Sequence, residues 1–242
     1  MKLEILLEDE FLLVVNKPAG VVVNRSETVE GQTVQDWMEE NKLQSFKASK
    51  LDKEFVSRSG LVHRLDKDTS GAMVLAKNPE VFQNLKSQFK NRKVKKEYIA
   101  LVHGKVSPKK GNINLPVARN PKNRMRFTVK VGGRKALTFY EAENYFYDKK
   151  DNPLYDKRFS LMRVRPKTGR THQIRVHFSF LGHPIASDPL YLSKKKLESD
   201  LKWCPRLFLH AERLVFKHPK TKKRMEFVVE LAEDLQEVIR LR

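Results

Sequence analysis

The stretch Gly60-Leu61-Val62-His63-Arg64-Leu65-Asp66-Lys67-Asp68-Thr69-Ser70-Gly71, which runs directly into Ala72-Met73-Val74-Leu75-Ala76, decides how the rest of the chain is read. Apolar residues at Leu61, Val62 and Leu65 lead into a polar segment and an apolar run leaves it, so the charged centre is expected on a loop joining two strands. Asp66 is then a carboxylate held on a turn between rigid flanks. Taken singly, Asp66, Asp68, Thr69 and Ser70 are ordinary turn residues whose side chains bond nearby backbone N–H groups. Their order in one string asks for more than turn formation.

Toward the N-terminus, Gln44 to Ser59 is polar with few large apolar groups and reads as a loop. Before it, Thr33 can cap a short helix that carries Val34, Trp37 and Met38 on one face. Ile5–Leu7 and Phe11–Val15 read as two β segments about Glu8-Asp9-Glu10, with a turn at Lys17-Pro18-Ala19-Gly20 before a third at Val21–Val23. Toward the C-terminus, Asn78-Pro79 marks a helix start, and Val81, Phe82, Leu85 and Phe89 recur at the helical period. A strand from about Lys96 to Val102 alternates Tyr98, Ala100 and Val102 on one face with Ile99 and Leu101 on the other.

Lys105 to Arg126 has little periodicity, and Gly132-Gly133 suggests a tight hairpin between Phe127–Val131 and Ala136–Tyr140. Tyr145 to Lys157 reads as a charged excursion, and the strand Phe159–Arg165 ends at Pro166-Lys167-Thr168-Gly169. A helix is expected from Thr171, with Ile174, Phe178 and Leu181 in one stripe and Gly182 just past its end. Leu207–Leu209, Leu214–Phe216 and Phe227–Leu231 read as strands, and Ala232 to Arg242 as a closing helix. Strands outnumber helices without strict βα alternation, which predicts an α+β fold with a mixed, mainly antiparallel sheet.

Composition narrows the partners. The chain of 242 residues can bury a substantial core, and no apolar run approaches the ~20 residues a membrane span needs. The N-terminus turns acidic at Glu8-Asp9-Glu10, too early for a signal peptide, so a cytoplasmic protein is expected. A single cysteine, Cys204, excludes an intrachain disulfide and a thiolate metal cluster. The 49 Lys and Arg against 29 Asp and Glu give a net charge of +20, for which a polyanion is the natural counterpart. Nucleic acid fits better than a membrane surface, which would call for one amphipathic basic helix. Here the basic residues are spread through Lys90–Lys96, Lys194-Lys195-Lys196 and Lys217–Arg224.

The string His63-Arg64-Leu65-Asp66 with Thr69-Ser70-Gly71 resembles the signature of the RluA-type pseudouridine synthases, which isomerise uridine within RNA. Two later stretches resemble the same family's other motifs, Lys96-Glu97-Tyr98-Ile99-Ala100-Leu101-Val102-His103-Gly104 and Thr168-Gly169-Arg170-Thr171-His172-Gln173-Ile174-Arg175-Val176-His177. The resemblance runs in family order from about Asn16-Lys17-Pro18 to Leu209-His210-Ala211. It implies a long bent sheet flanked by helices and loops around a central catalytic cleft, an RNA substrate, ribosomal or transfer, and no cofactor. It also implies one catalytic domain over residues 1–242 without the extra N-terminal RNA-binding domain of many relatives. A monomer is the default expectation.

By the same resemblance Asp66 matches the catalytic aspartate, Arg175 the arginine paired with it, and Tyr98 the active-site tyrosine that lies against the target base and is assigned a proton-transfer role, although stacking alone would suffice to position the base. Arg64 is placed to help displace the target nucleotide or to occupy its vacated position, and Leu209 matches an apolar pocket wall, with simple core packing as its other reading. The chemistry suits these groups. Uridine to pseudouridine exchanges an N-glycosidic for a carbon–carbon bond without net redox change, a task for a carboxylate able to attack or stabilise an electron-poor centre. Burying that carboxylate beside a base costs several kcal/mol unless a cation compensates it.

Rival chemistries find little support. His172 and His177 are five residues apart, about 140° around a helix, which is not the spacing of a zinc helix, so no metal site is expected. No phosphate-binding glycine loop or Gly-x-Ser-x-Gly elbow occurs. Asp68 is too close to Asp66 on one turn to complete a glycosidase carboxylate pair. The remaining rival is a non-catalytic RNA-binding or ribosome-assembly module on the same scaffold, and such a module would not need Asp66, which repels phosphates.

Overall fold

The computed structural model describes residues 1–27, 29–41, 52–147 and 158–240. The chain divides into two compact units, Met1–Lys95 with Arg213–Val229 and Lys96–Glu212 with Glu230–Arg242. Its class is α+β, with six helices among the described residues and mainly antiparallel strand pairing, as the pattern of elements predicts.

In the first unit β1 (Glu4–Glu8) and β2 (Leu12–Lys17) form the expected antiparallel hairpin. Asp9 tightens the turn by accepting the backbone N–H groups of Phe11 and Leu12 at 2.7 and 2.8 Å. The third strand expected at Val21–Val23 does not form, because its carbonyls are used elsewhere. Those of Val22 and Val23 accept from the backbone of Val34 and Gln35, and that of Val21 accepts from the Lys17 ammonium. Helix α1 (Val34–Asn41) buries Val34, Trp37 and Met38 and starts on a reciprocal cap. The Thr33 hydroxyl accepts the Asp36 N–H at 3.1 Å, and the Asp36 carboxylate accepts the Thr33 N–H at 2.8 Å.

The loop expected over Gln44–Ser59 lies partly outside the described residues, and its end is a helix, α2 (Lys53–Arg58). Asp52 caps it on the N–H groups of Glu54 and Phe55, and buried Phe55 anchors it edge-on to Phe82. One apolar anchor in six residues is too little for a period to register. Strand β3 (Ser70–Ala76), every residue buried, runs antiparallel to β2 with Val15 opposite Met73 and Lys17 opposite Gly71. Helix α3 (Pro79–Lys90) is capped by Asn78 on Val81 N–H and buries Val81, Phe82 and Leu85.

The second unit opens with β4 (Lys95–His103), whose first residue belongs to the other unit. The aperiodic stretch after it holds two strands, β5 (Lys110–Asn114) and β6 (Val117–Arg119), both short and mostly exposed. The expected hairpin at Gly132-Gly133 pairs differently. β7 (Phe127–Val129) lies against β6, whereas β8 (Leu137–Tyr147) lies between β5 and β9 (Arg158–Pro166). Arg134 bridges to Val117, so the turn hands the chain to β6 and not back to β7. Tyr145–Tyr147 continue β8, and the rest of the charged excursion lies outside the described residues.

Helix α4 (Gln173–Phe180) and Gly182 with φ +81° match expectation, whereas α5 (Lys194–Asp200), five of whose seven residues are charged, was not signalled by any apolar stripe. The two strands expected at Leu207–Leu209 and Leu214–Phe216 are one, β10 (Leu209–Lys217), whose first four residues belong to the second unit and whose remainder pairs in the first with β11 (Arg224–Val228). Helix α6 (Glu233–Arg240) buries Leu235 and Val238 in the core of the second unit. Among the described residues no helix is long and apolar enough to cross a membrane.

Candidate active site

In the first unit Asp66 stands on a loop fixed at both ends. Only Leu61 of the expected entry strand bridges to Leu75. The next ladder position is filled by a side chain, since the Val74 N–H donates to His63 Nε2 at 3.1 Å and the imidazole stacks on Phe89. Gly60 makes the approach possible. Its φ is +77°, and a Cβ there would sit 2.1 Å from the Ala76 carbonyl oxygen. From the far side the fully buried Lys17 donates its ammonium to the carbonyls of Pro18, Val21 and Lys67 at 2.7, 2.8 and 3.0 Å, and Gly20 N–H also donates to Lys67. Thr69 N–H closes the turn onto the Asp66 carbonyl at 3.2 Å. Asp66 itself is half-buried, and Arg64, two residues earlier on the same loop, is exposed.

In the second unit Tyr98, Val164 and Tyr140 lie directly opposite one another across β4, β9 and β8 and therefore share one face of the sheet. Helix α4 covers that face. Phe178 meets the Tyr140 ring edge-on, and Gln173 and His177 both bond the Thr138 hydroxyl at 2.9 Å. The hydrogen bonds assign the imidazole: Nε2 faces the Leu115 carbonyl and Nδ1 faces Thr138. Burial pushes the His177 pKa down despite that carbonyl, so the ring is a neutral structural link. The same face thus presents Tyr98 and the helix that carries Arg175.

Arg175 is held by a partner that sequence reading missed. Its Nε and Nη2 donate to the two carboxylate oxygens of Asp188 at 2.8 and 2.7 Å, with both side chains buried, and Nη1 lies outside that fork. Asp188 Oδ1 also accepts the N–H groups of Leu190 and Tyr191. The Tyr191 ring lies 5.3 Å from the guanidinium carbon, and its hydroxyl bonds His172 Nδ1 and accepts Phe127 N–H. A signal was present in Ser187-Asp188-Pro189-Leu190-Tyr191, a turn string whose Asp and Tyr had no role assigned. Lys17 was likewise visible only as the start of a motif. Leu209 is buried in the same apolar core as Ile174 of α4. Among the described residues no three His, Cys, Asp or Glu side chains gather as metal ligands would.

Residues 11–180 match the family model described as RNA pseudouridylate synthase. An uncharacterized RNA pseudouridine synthase of Bacillus subtilis, YlyB, is 38% identical over 99% of this chain and 72% of its own length. Ribosomal large subunit pseudouridine synthase D of Zymomonas mobilis is 39% identical over 97% of this chain and 71% of its own. Among solved structures, human RNA pseudouridylate synthase domain containing 1 superposes with a TM-score of 0.72 at 25% identity, covering 98% of this chain and 87% of that one.

Proposed function

The chain belongs to the RNA pseudouridylate synthase family, a family of RNA-modifying isomerases, and on that footing we propose that it converts specific uridines of structured ribosomal or transfer RNA by an aspartate route, with the target nucleotide turned out of its helix. Asp66 is the essential carboxylate. It meets the sugar–base junction while the N-glycosidic bond breaks, the uracil turns, and a bond forms from its C5 to the ribose C1′ as C5 loses its proton and N1 takes one up. Tyr98 lies under the uracil, where stacking is worth ~1–3 kcal/mol and suffices for positioning.

Arg175 is the ion partner of Asp66. The Asp188 fork supports this role, because it fixes the guanidinium plane through Nε and Nη2 and directs Nη1 elsewhere. Arg64, exposed on the Asp66 loop, helps displace the nucleotide, an extrusion costing a few kcal/mol. Leu209 serves as a pocket wall as well as core. The whole chain, 1–242, works as one catalytic domain, as a monomer in the cytoplasm, a setting that suits the single buried thiol of Cys204.

The observation that carries the reading is the shared sheet face on which Tyr98 and the Arg175 helix stand. Contact with RNA is supported by charge. From Tyr98 to Tyr140 there is no Asp or Glu, while Lys105, Lys109, Lys110, Arg119, Lys122, Arg124, Arg126, Lys130, Arg134 and Lys135 occur. One relative is named for the large ribosomal subunit, which makes that RNA the first to examine. Pseudouridine mapping of total RNA from cells with and without the gene tests the proposal. Loss of one or more sites in ribosomal or transfer RNA supports it, and an unchanged map of both refutes it.

A further inference from the structure

Lys96 stands two residues before Tyr98 on β4 and, by strand alternation, on the same face, with Cα atoms about 7 Å apart. The alternation is fixed independently by its neighbour. Glu97 points the other way, where its carboxylate meets Arg165 Nε at 3.1 Å and Arg163 Nη1 at 3.7 Å. Lys96 has no carboxylate or hydrogen-bond partner among the described residues. Its ammonium lies over the main chain of Gly169, where an added Cβ would come within 3.8 Å of Nζ. That turn is rigid, because Gln173 Oε1 accepts from the Thr168 hydroxyl and the Arg170 N–H. Glycine at 169 leaves the approach to the ammonium open, and Lys167 and Arg170 beside it add positive charge and no negative.

A half-buried cation with no counter-charge among the described residues is a cost that the fold alone does not explain, and burial lowers the Lys96 pKa to about 8. An arriving anion would reverse that cost. A lysine ammonium is a compact point charge without the planar fork that selects carboxylates, and it suits one oxygen of a phosphodiester. Building on the reading that the target base lies on Tyr98, we infer that Lys96 is a phosphate-binding residue that grips the RNA phosphodiester flanking the nucleotide in the active site.

The test compares wild-type protein with Lys96→Met and Lys96→Arg, using RNA labelled with tritium at uridine C5 and prepared from cells lacking the gene. Filter retention across a series of KCl concentrations gives the salt slope of binding, and single-turnover tritium release gives the half-saturating concentration and the saturating rate. Lys96→Met is expected to melt at or above the wild-type temperature, to bind roughly tenfold more weakly, and to lose about 0.7–0.9 from the salt slope. Its saturating rate stays within about twofold, and Lys96→Arg stays close to wild type throughout. Unchanged affinity and slope in Lys96→Met overturn the inference, as does a fall in saturating rate with an unchanged slope. Asp66→Asn run in parallel reports on the parent reading alone. If the wild type releases no tritium, or Asp66→Asn still does, that reading fails while the filter-retention slopes still decide the role of Lys96.

Discussion

Removing the Asp188 carboxylate should cripple the second unit more than any surface change. Asp188 receives four hydrogen bonds, two from the buried Arg175 guanidinium and two from the backbone of Leu190 and Tyr191. Taking away one partner of a buried ion pair leaves an uncompensated charge and costs about 3–5 kcal/mol. Asp188→Asn keeps an oxygen for the two backbone donors and should fall near the lower figure; Asp188→Ala should reach the upper one. At about 2–4 °C per kcal/mol for a chain of this size, Asp188→Asn should melt roughly 6–12 °C lower. Urea titration at pH 7 measures the loss directly. The double variant Arg175→Met/Asp188→Leu, which removes both charges, should be more stable than Asp188→Ala. If Asp188→Asn lies within about 1 kcal/mol of wild type, or the double variant is worse than either single one, the buried fork is not what holds Arg175.

Gly60→Ala forces a Cβ into the Ala76 carbonyl at positive φ, so it should cost at least about 2–3 kcal/mol; a wild-type urea midpoint would contradict the geometry. The Asp9 carboxyl gives a pH signature. Burial pushes its pKa up, but the Leu12 N–H, the His218 ring and the Phe11 N–H together hold it below the usual 3.8. The stability it contributes is therefore fully present above pH ~4 and lost as pH falls through the lowered value. Asp9→Asn should be less stable than wild type at pH 7 and the gap should narrow progressively as the pH falls below ~4, whereas a gap that is the same size throughout the acid range would show that charge is not the cause.

The legible parts of the fold were those with period or punctuation. The alternation through β4, the Asn78-Pro79 cap and stripe of α3, and Gly182 after α4 could all be read because each local signal agrees with its tertiary role. What escaped was set by partners distant in sequence. Val21–Val23 has strand composition, yet its carbonyls serve α1 and Lys17. β6 and β7 are too short for periodicity and find each other across a seven-residue basic turn region, Asn120–Arg126, that reads as loop. At the site, motif residues were visible as a string, but the groups that aim them were not. Lys17 acts 50 residues away on Lys67, and Asp188 acts 13 residues away on Arg175.

The most direct measurement is tritium release from RNA labelled at uridine C5, because moving the glycosidic bond from nitrogen to that carbon frees the label. Wild-type protein should release it and Asp66→Asn, folded and still RNA-bound, should release none. Release that persists in Asp66→Asn at a wild-type rate would contradict a reaction that depends on that carboxylate.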